Sequence, residues 1–416
     1  MITFVALAGL MGRQCHKYII MKKKIGFFVP MVLGLLTAFG PFVTDFYLPA
    51  MPAMSESFHT SPSLVALSLT TGMIGLAVGQ IFIGPLSDKF GRKRLLILSM
   101  LLFAFASVLC VFSPNIYLFN FMRLFQGIGG AGGIVLSKSI ATDLFFGMDL
   151  QSFMAILGAI NGIAPVTAPV IGGVMTDFVS WRGIFCLLLA IGIILMVCSC
   201  FLKETLPPGK RSKEGVLHVY VNLFKVFRNS RFTLSTFVSM AGFLTFFAYI
   251  ASSPFVLQKT YGLSPLSYSL CFGLIAFTIG IGSLFGARFK HQNTALKVAA
   301  THLLIGSVIT AVCLIIHVPL PLLMVGYIWM VMGFGLMQPA ATSIAMDAER
   351  SRAGAASAIF GASGFVAGAV ASPLVSLGNI PITSSFVMMA GAVICFLLTL
   401  NLCRQVKTEA LEGKKS

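Results

Sequence analysis

The sequence predicts an all-α membrane protein of twelve transmembrane helices arranged as two six-helix halves. Of its 416 residues, 57% are hydrophobic and 10% charged, against roughly 45 to 50% and about 25% in soluble domains. Apolar runs long enough to cross a bilayer core about 30 Å thick recur twelve times along the chain. One long hydrophilic connection, residues 203–231, carries Pro207, Pro208 and a run of charge and parts those runs six and six.

The formal net charge of +17 invites a nucleic-acid reading, but a soluble basic binder does not have a mean hydropathy of +0.95. With the N-terminus on the cytoplasmic side, every Lys and Arg except Arg123, Lys138, Arg182 and Lys259 falls on inward-facing segments. That asymmetry is the orientation code of a multi-pass protein and excludes nucleic acid as a partner. The nine cysteines lie mostly inside apolar runs, with no CxxC and no metal spacing. They read as small buried hydrophobes, and no metal or cofactor is expected.

Residues 1–24 are expected to be a cytoplasmic N-terminal extension, with Met21 before Lys22, Lys23 and Lys24 as an alternative start. The first span, 25–50, follows those lysines and contains Asp45 shortly before Pro49 and Pro52. The second and third, 62–86 and 95–113, are joined by the basic loop GPLSDKFGRKR. The fourth, 115–141, holds Arg123, Gln126 and Lys138, and an acid-bearing loop with Asp143 and Asp149 leads to the fifth, 150–174. There Pro165 and Pro169 remove two backbone donors and bend the helix, and Gly172 and Gly173 admit a close neighbour. The sixth, 182–202, closes the N-terminal half, residues 25–202. After the linker, residues 232–403 form the C-terminal half. Its first span, 233–257, is aromatic, with Phe243, Phe246, Phe247 and Tyr249. Apolar runs bounded by charge give 266–287 and 297–317, and 320–346 holds Gln338. A loop with Asp347 and Glu349 precedes the small-residue span 353–378, a counterpart of the fifth, and 382–403 ends the half before a cytoplasmic tail, 404–416. Related halves around a midplane site are the architecture of a secondary transporter.

Of the twelve acidic residues, Asp45 alone lies well inside an apolar run. An ionised group there costs a few kcal/mol or more unless paired, protonated or wet, which makes it a functional candidate. It reads either as a proton-coupling group or as a structural cap near the end of its helix, and coupling is the stronger reading. Arg123 falls at comparable depth, so a direct or water-bridged contact with Asp45 is geometrically open. Lys138 sits near the inward end of the fourth span, where snorkelling to the interface gives it a structural role. Gln126, Phe246, Tyr249 and Gln338 are candidates to line a cargo cavity.

The loop Gly84 to Arg94 resembles the signature loop of the major facilitator superfamily, with Gly84, Asp88, Gly91, Arg92 and Lys93 carrying the match. TDFYLPAMP (Thr44 to Pro52), SWRGIF (Ser180 to Phe185) and KETLPP (Lys203 to Pro208) resemble the bicyclomycin and chloramphenicol resistance branch of its drug:proton antiporters. RLFQGIGGA (Arg123 to Ala131) is similar to the superfamily's fourth-helix motif. APVIGG (Ala168 to Gly173) resembles the antiporter motif on Pro169, Gly172 and Gly173, with Ala168 where the pattern has Gly. The resemblance implies a proton-transfer role for Arg123 and docking of Asp88 against a helix end of the other half. It implies a monomeric multidrug exporter in a bacterial inner membrane, both termini cytoplasmic, exchanging amphipathic or apolar drugs for protons by alternating access. The alternative is a proton-coupled symporter or facilitator for a nutrient such as a sugar or organic acid. An enzyme is excluded by the absence of metal, nucleophile-elbow and nucleotide-loop patterns and by short aqueous segments.

Overall fold

In a computed structural model, residues 28–412 are described except 146, 212–219, 221, 222, 287 and 290. The expected N-terminal extension lies outside the described residues. Twelve long helices and no strands are found among those described. The first, α1 (Phe28–Ser57), is interrupted. The N-terminal half continues with α2 (Pro62–Phe90), α3 (Arg92–Val111), α4 (Ile116–Leu144), α5 (Gly147–Phe178) and α6 (Trp181–Phe201). The C-terminal half holds α7 (Ser230–Phe255), α8 (Pro265–Gly286), α9 (Gln292–Ile315), α10 (Leu320–Ala348), α11 (Ala353–Val375) and α12 (Ile380–Glu412). The helices outrun the apolar runs because helical geometry continues past the hydrocarbon. Thus α12 reaches Glu412, into the segment expected as a tail.

Eleven of the twelve have the length and apolarity to cross a membrane. The exception, α4, is as long as α2 but carries Asn120, Arg123, Gln126 and Lys138 and five glycines between Gly127 and Gly133. It survives in the bundle because its polar side chains turn inward and its glycines admit neighbouring backbones. A Cβ on Gly75 of α2 would lie 2.1 Å from the Leu124 carbonyl oxygen, and one on Gly127 would lie 2.2 Å from that of Gly72. The second half repeats this crossing, with Gly335 of α10 equally tight against Ile279 of α8.

Even-numbered runs in each half return the chain to one side of the bundle. The face bearing the α6–α7 connection is called the linker face, and the opposite one the far face. The halves meet along two seams, α2 on α11 and α5 on α8. At the far face the α2–α11 seam is tied by polar bonds: the Ser63 hydroxyl donates to the Ser376 carbonyl at 2.7 Å, and the Ser372 hydroxyl to the Ala66 carbonyl at 2.8 Å. Toward the linker face the bundle opens. A methyl placed on Gly158 or Gly162 of α5, or on Gly280 of α8, would meet nothing.

Because the α2–α4 crossing has no room for a side chain, Gly127→Val should lower stability by about 1–3 kcal/mol through overpacking. Gly158→Ala, on the open stretch of α5, should leave thermal unfolding of the detergent-purified protein unchanged.

Candidate functional site

The centre of the protein is organised by the interruption in α1. Regular helix stops at Asp45 and gives way to a 3-10 turn over Leu48–Ala50 before resuming at Met51. Pro49 and Pro52 have no N–H, so the carbonyls four residues before each lose their helical donor. The Leu48 carbonyl takes the Met51 N–H within the turn, and two neighbouring carbonyls gain donors from other helices. A guanidinium N–H of Arg123 on α4 donates to the Val43 carbonyl, and the Gln258 amide, just beyond α7, donates to the Pro49 carbonyl at 3.0 Å. Gly172 of α5 packs so closely that a Cβ there would lie 1.9 Å from the Phe46 oxygen.

Arg123 is completely buried. Its remaining donors reach the Ser68 carbonyl at 3.4 Å and the Gln126 side-chain oxygen. Gln126 in turn donates to Ser107 of α3 at 2.8 Å. The guanidinium carbon also stands 4.5 Å from the Tyr47 ring centroid, a cation–π contact of the kind that helps hold a desolvated cation. Two expectations are corrected here. The side chain of Gln126 is consumed by the arginine network inside the N-terminal half and does not line a cavity. Arg123 also forms no ion pair among the described residues, because the acceptors within its reach are backbone carbonyls and a glutamine.

Asp45 is nevertheless buried, 4% exposed, and its Oδ1 has no hydrogen-bond partner. Val43, two residues earlier, packs against α2 and α4. A step of two residues turns about 200° around a helix, so Asp45 is directed away from Arg123 and toward the other half. Tyr249 and Tyr268, on α7 and α8, are also buried. Tyr268 shares a hydrogen bond with Ser253 at 3.1 Å, whereas the Tyr249 hydroxyl is unpartnered. Tyr249 lies within the C-terminal half against Phe272 and Tyr327. It is fully buried there, which corrects its expected place on an open cavity wall. Phe246 remains partly exposed and stacks on Phe334 with centroids 4.4 Å apart. Gln338 is partly exposed too, its oxygen accepting from Ser239 at 3.4 Å.

The antiporter-like helix joins the two halves. Pro165 and Pro169 fall within α5 without dividing it. Gly172 abuts the break in α1, while a Cβ on Gly173 would lie 2.2 Å from the Ser269 hydroxyl oxygen of α8. Adjacent glycines thus let one helix touch both halves near the far face, where Lys259 and Glu56 also form an ion pair across the seam.

At the linker face, Gly91 alone separates α2 from α3, at φ +99°, a conformation that suits a residue without Cβ. The next backbone N–H, that of Arg92, donates to Glu204 at 3.0 Å, and the Arg92 side chain pairs with both Asp88 and Asp143. Lys93 donates to the Cys200 carbonyl at the end of α6, at 2.7 Å. The expected docking of Asp88 on the other half is not formed in this conformation, since its partner is Arg92 of its own half. Asp88 instead lines a cavity of about 670 Å³, together with Gly84, Gln80 and Ser139 on one side and Arg352, Gly354 and Ala358 at the start of α11 on the other. The seam is open where that docking would occur.

Sequence reasoning missed Gln258, Ser269, Tyr268, Ser63 and Ser372. Hydroxyl residues and an amide beside a lysine are too common in membrane helices to stand out. Tyr47 was inside a quoted motif, but nothing local showed that its ring covers Arg123.

Comparison with known proteins adds the following. Residues 33–373 match the family profile described as Major Facilitator Superfamily. An uncharacterized MFS-type transporter, YdgK of Bacillus subtilis (strain 168), is 33% identical over 383 residues, covering 90% of this chain and 95% of that protein. A bicyclomycin resistance protein homolog of Haemophilus influenzae is 26% identical over 389 residues, covering 89% and 94%. The solved structure of a D-xylose-proton symporter superposes with a TM-score of 0.70 at 16% identity, covering 90% of this chain and 97% of that one.

Arg123 feeds three acceptors from one planar fork, a geometry that an ammonium cannot reproduce. Arg123→Lys should therefore destabilise the protein by about 2–3 kcal/mol, the value of charge-assisted bonds lost, measured as a lower unfolding midpoint in detergent.

Proposed function

The chain belongs to the Major Facilitator Superfamily, and from that premise we propose that it exports small amphipathic or apolar drugs from a bacterium in exchange for protons. The family is one of membrane transporters, not enzymes. In this reading the membrane is the bacterial inner membrane, the linker face and both termini are cytoplasmic, and the protein works as a monomer. The observation that carries it is Asp45. It is a buried carboxyl with an unpartnered oxygen at the meeting point of the halves, beside the glycine pair through which α5 touches both.

A change of proton occupancy at Asp45 changes the charge by one where no cation compensates it. The close packing beside Asp45, where α5 meets α1 at Gly172, is therefore the part of the structure most sensitive to that change. Arg123 acts beside this event by holding the broken backbone of α1 in place, through the Val43 carbonyl two residues from Asp45. The conformation described is closed at the far face and open at the linker face, the state from which an exporter loads cargo. Rocking of the halves would close the 670 Å³ cavity and bring Asp88 toward the start of α11, while the α5–α8 contact at Gly173 and Ser269 parts. The resistance-protein name of the Haemophilus relative and the aromatic surface at Phe246 and Phe334 support drugs as the cargo.

Two outcomes are expected. Asp45→Asn should fold and insert normally yet abolish drug-dependent proton release in inverted vesicles, because no second acid lies at membrane depth to replace it; undiminished release refutes the coupling role. Asp88→Ala should shift the balance between the two open states, with little effect on drug affinity. Cysteine labelling on the linker-face and far-face sides of the seam reads that balance, and an unchanged pattern with weakened drug binding contradicts the assignment.

A further inference from the structure

α4 carries a second cation that the coupling scheme leaves unused. Lys138 lies fifteen residues beyond Arg123, about 22 Å nearer the linker face. Arg123 has its donors engaged, whereas the Lys138 side chain is exposed and no hydrogen bond or ion pair reaches it among the described residues. Its direction follows from its neighbours on the helix. Gly129 abuts α3 at Ser99 and Phe103, and α3 packs only within its own half. Nine residues turn about 900° at 100° each, which leaves Lys138 opposite Gly129, on the inward side of α4. One turn earlier, Ile134 stands at Gly40 of α1, with Phe365 of the other half also within reach of that glycine. The neighbouring Ser139 lines the cavity. Lys138 therefore opens on the space between the halves. That direction differs from the sequence reading, in which Lys138 snorkels to the interface in a structural role.

The counterpart of α4 in the second half is α10, and it offers a second free donor. Gln338 lies on the side of α10 turned from α9, which Gly333 abuts. Its Nε2 is buried without a partner. One turn away, Phe334 presents the ring that stacks on Phe246. An unpaired ammonium, an unpaired amide N–H and an aromatic wall, with no carboxylate engaging the ammonium, are complementary to an acceptor group on an aromatic body.

We propose that Lys138 is the cargo-anion site of this transporter, holding the carboxylate of an amphipathic aromatic acid while the Gln338 amide adds a hydrogen bond and the body packs on Phe246 and Phe334. The proposal rests on the export reading above and narrows its cargo. The charged bond from an ammonium to a carboxylate is the strong contact in such a site, and the rings contribute through buried apolar area.

The test uses the full-length protein in detergent and two probes built on one xanthene frame, anionic fluorescein and cationic tetramethylrhodamine methyl ester. Fluorescence polarisation should show fluorescein binding at least about tenfold tighter than the rhodamine, a difference of about 1.4 kcal/mol. Lys138→Gln should erase that preference, and Lys138→Arg should largely restore it. Equal affinities in the wild type, or fluorescein binding indifferent to Lys138→Gln, would overturn the proposal. If Lys138→Gln does not fold, acylation of Lys138 in the wild type decides: fluorescein should slow it and the rhodamine should not, and equal rates count against the site. Drug-driven proton release in inverted vesicles separates the two readings. Its absence for every compound, with the Lys138-dependent preference intact, removes proton-coupled export and leaves the anion site. Release driven by neutral drugs with no such preference removes the anion site alone.

Discussion

A helix that breaks inside a bilayer has to find partners for the backbone groups it frees, because no water is there to take them. The interruption of α1 after Asp45 is where donors from other helices reach its backbone. Arg123 of α4 takes the Val43 carbonyl, Gln258 beyond α7 takes that of Pro49, and α5 closes on Phe46 through a glycine. Three helices from two halves are thus tied to one short stretch of chain. A displacement of any of them is felt at the carboxylate that stands at its edge, so the local cost of two prolines becomes the means by which distant helices share a position.

The duplication that organises the fold is visible in its chemistry as well as in its helix count. At the linker face, the first residue of α3 reaches back to an acid near the end of α4, Arg92 to Asp143 at 3.2 Å. The first residue of α9 makes the same reach in the second half, Gln292 to Asp347 at 3.1 Å. Where the N-terminal half has a charged pair, the C-terminal half has an amide, and Asp347 recruits Arg350 from its own loop instead. The two halves keep one geometry while differing in the donor that fills it. Both acids accept from the first residue of the neighbouring helix, a guanidinium in one half and an amide in the other.

What the sequence made legible follows from where the information resides. Twelve apolar runs and one hydrophilic divide are properties of single segments, so the helices and their grouping were readable. Asp45 and Arg123 stood out because charges within membrane spans are rare. Their relation was not readable. Equal depth suggested a contact, but depth is one coordinate, and the rotation of α1 about its axis turns Val43 to the arginine and Asp45 away from it. The same missing rotation put Gln126 in a cavity when it faces Ser107. Asp88 shows a different limit. Its motif was plain, but its partner here is Arg92 of its own half.

Besides the Lys259–Glu56 ion pair, three ties across the far-face seam run from a side-chain donor to a backbone carbonyl, at Ser63, Ser372 and Gln258. Each is worth about 1 kcal/mol net, and the two serine ties need only a turn about one side-chain bond to let go. Together they contribute a few kcal/mol to holding the far face closed. Such a barrier is thin by the standards of a folded core, yet it suits a membrane that stores energy as voltage. A carrier ajar at both ends is a short circuit, and a latch of this size keeps passive leakage low while remaining weak enough for a single bound molecule to release.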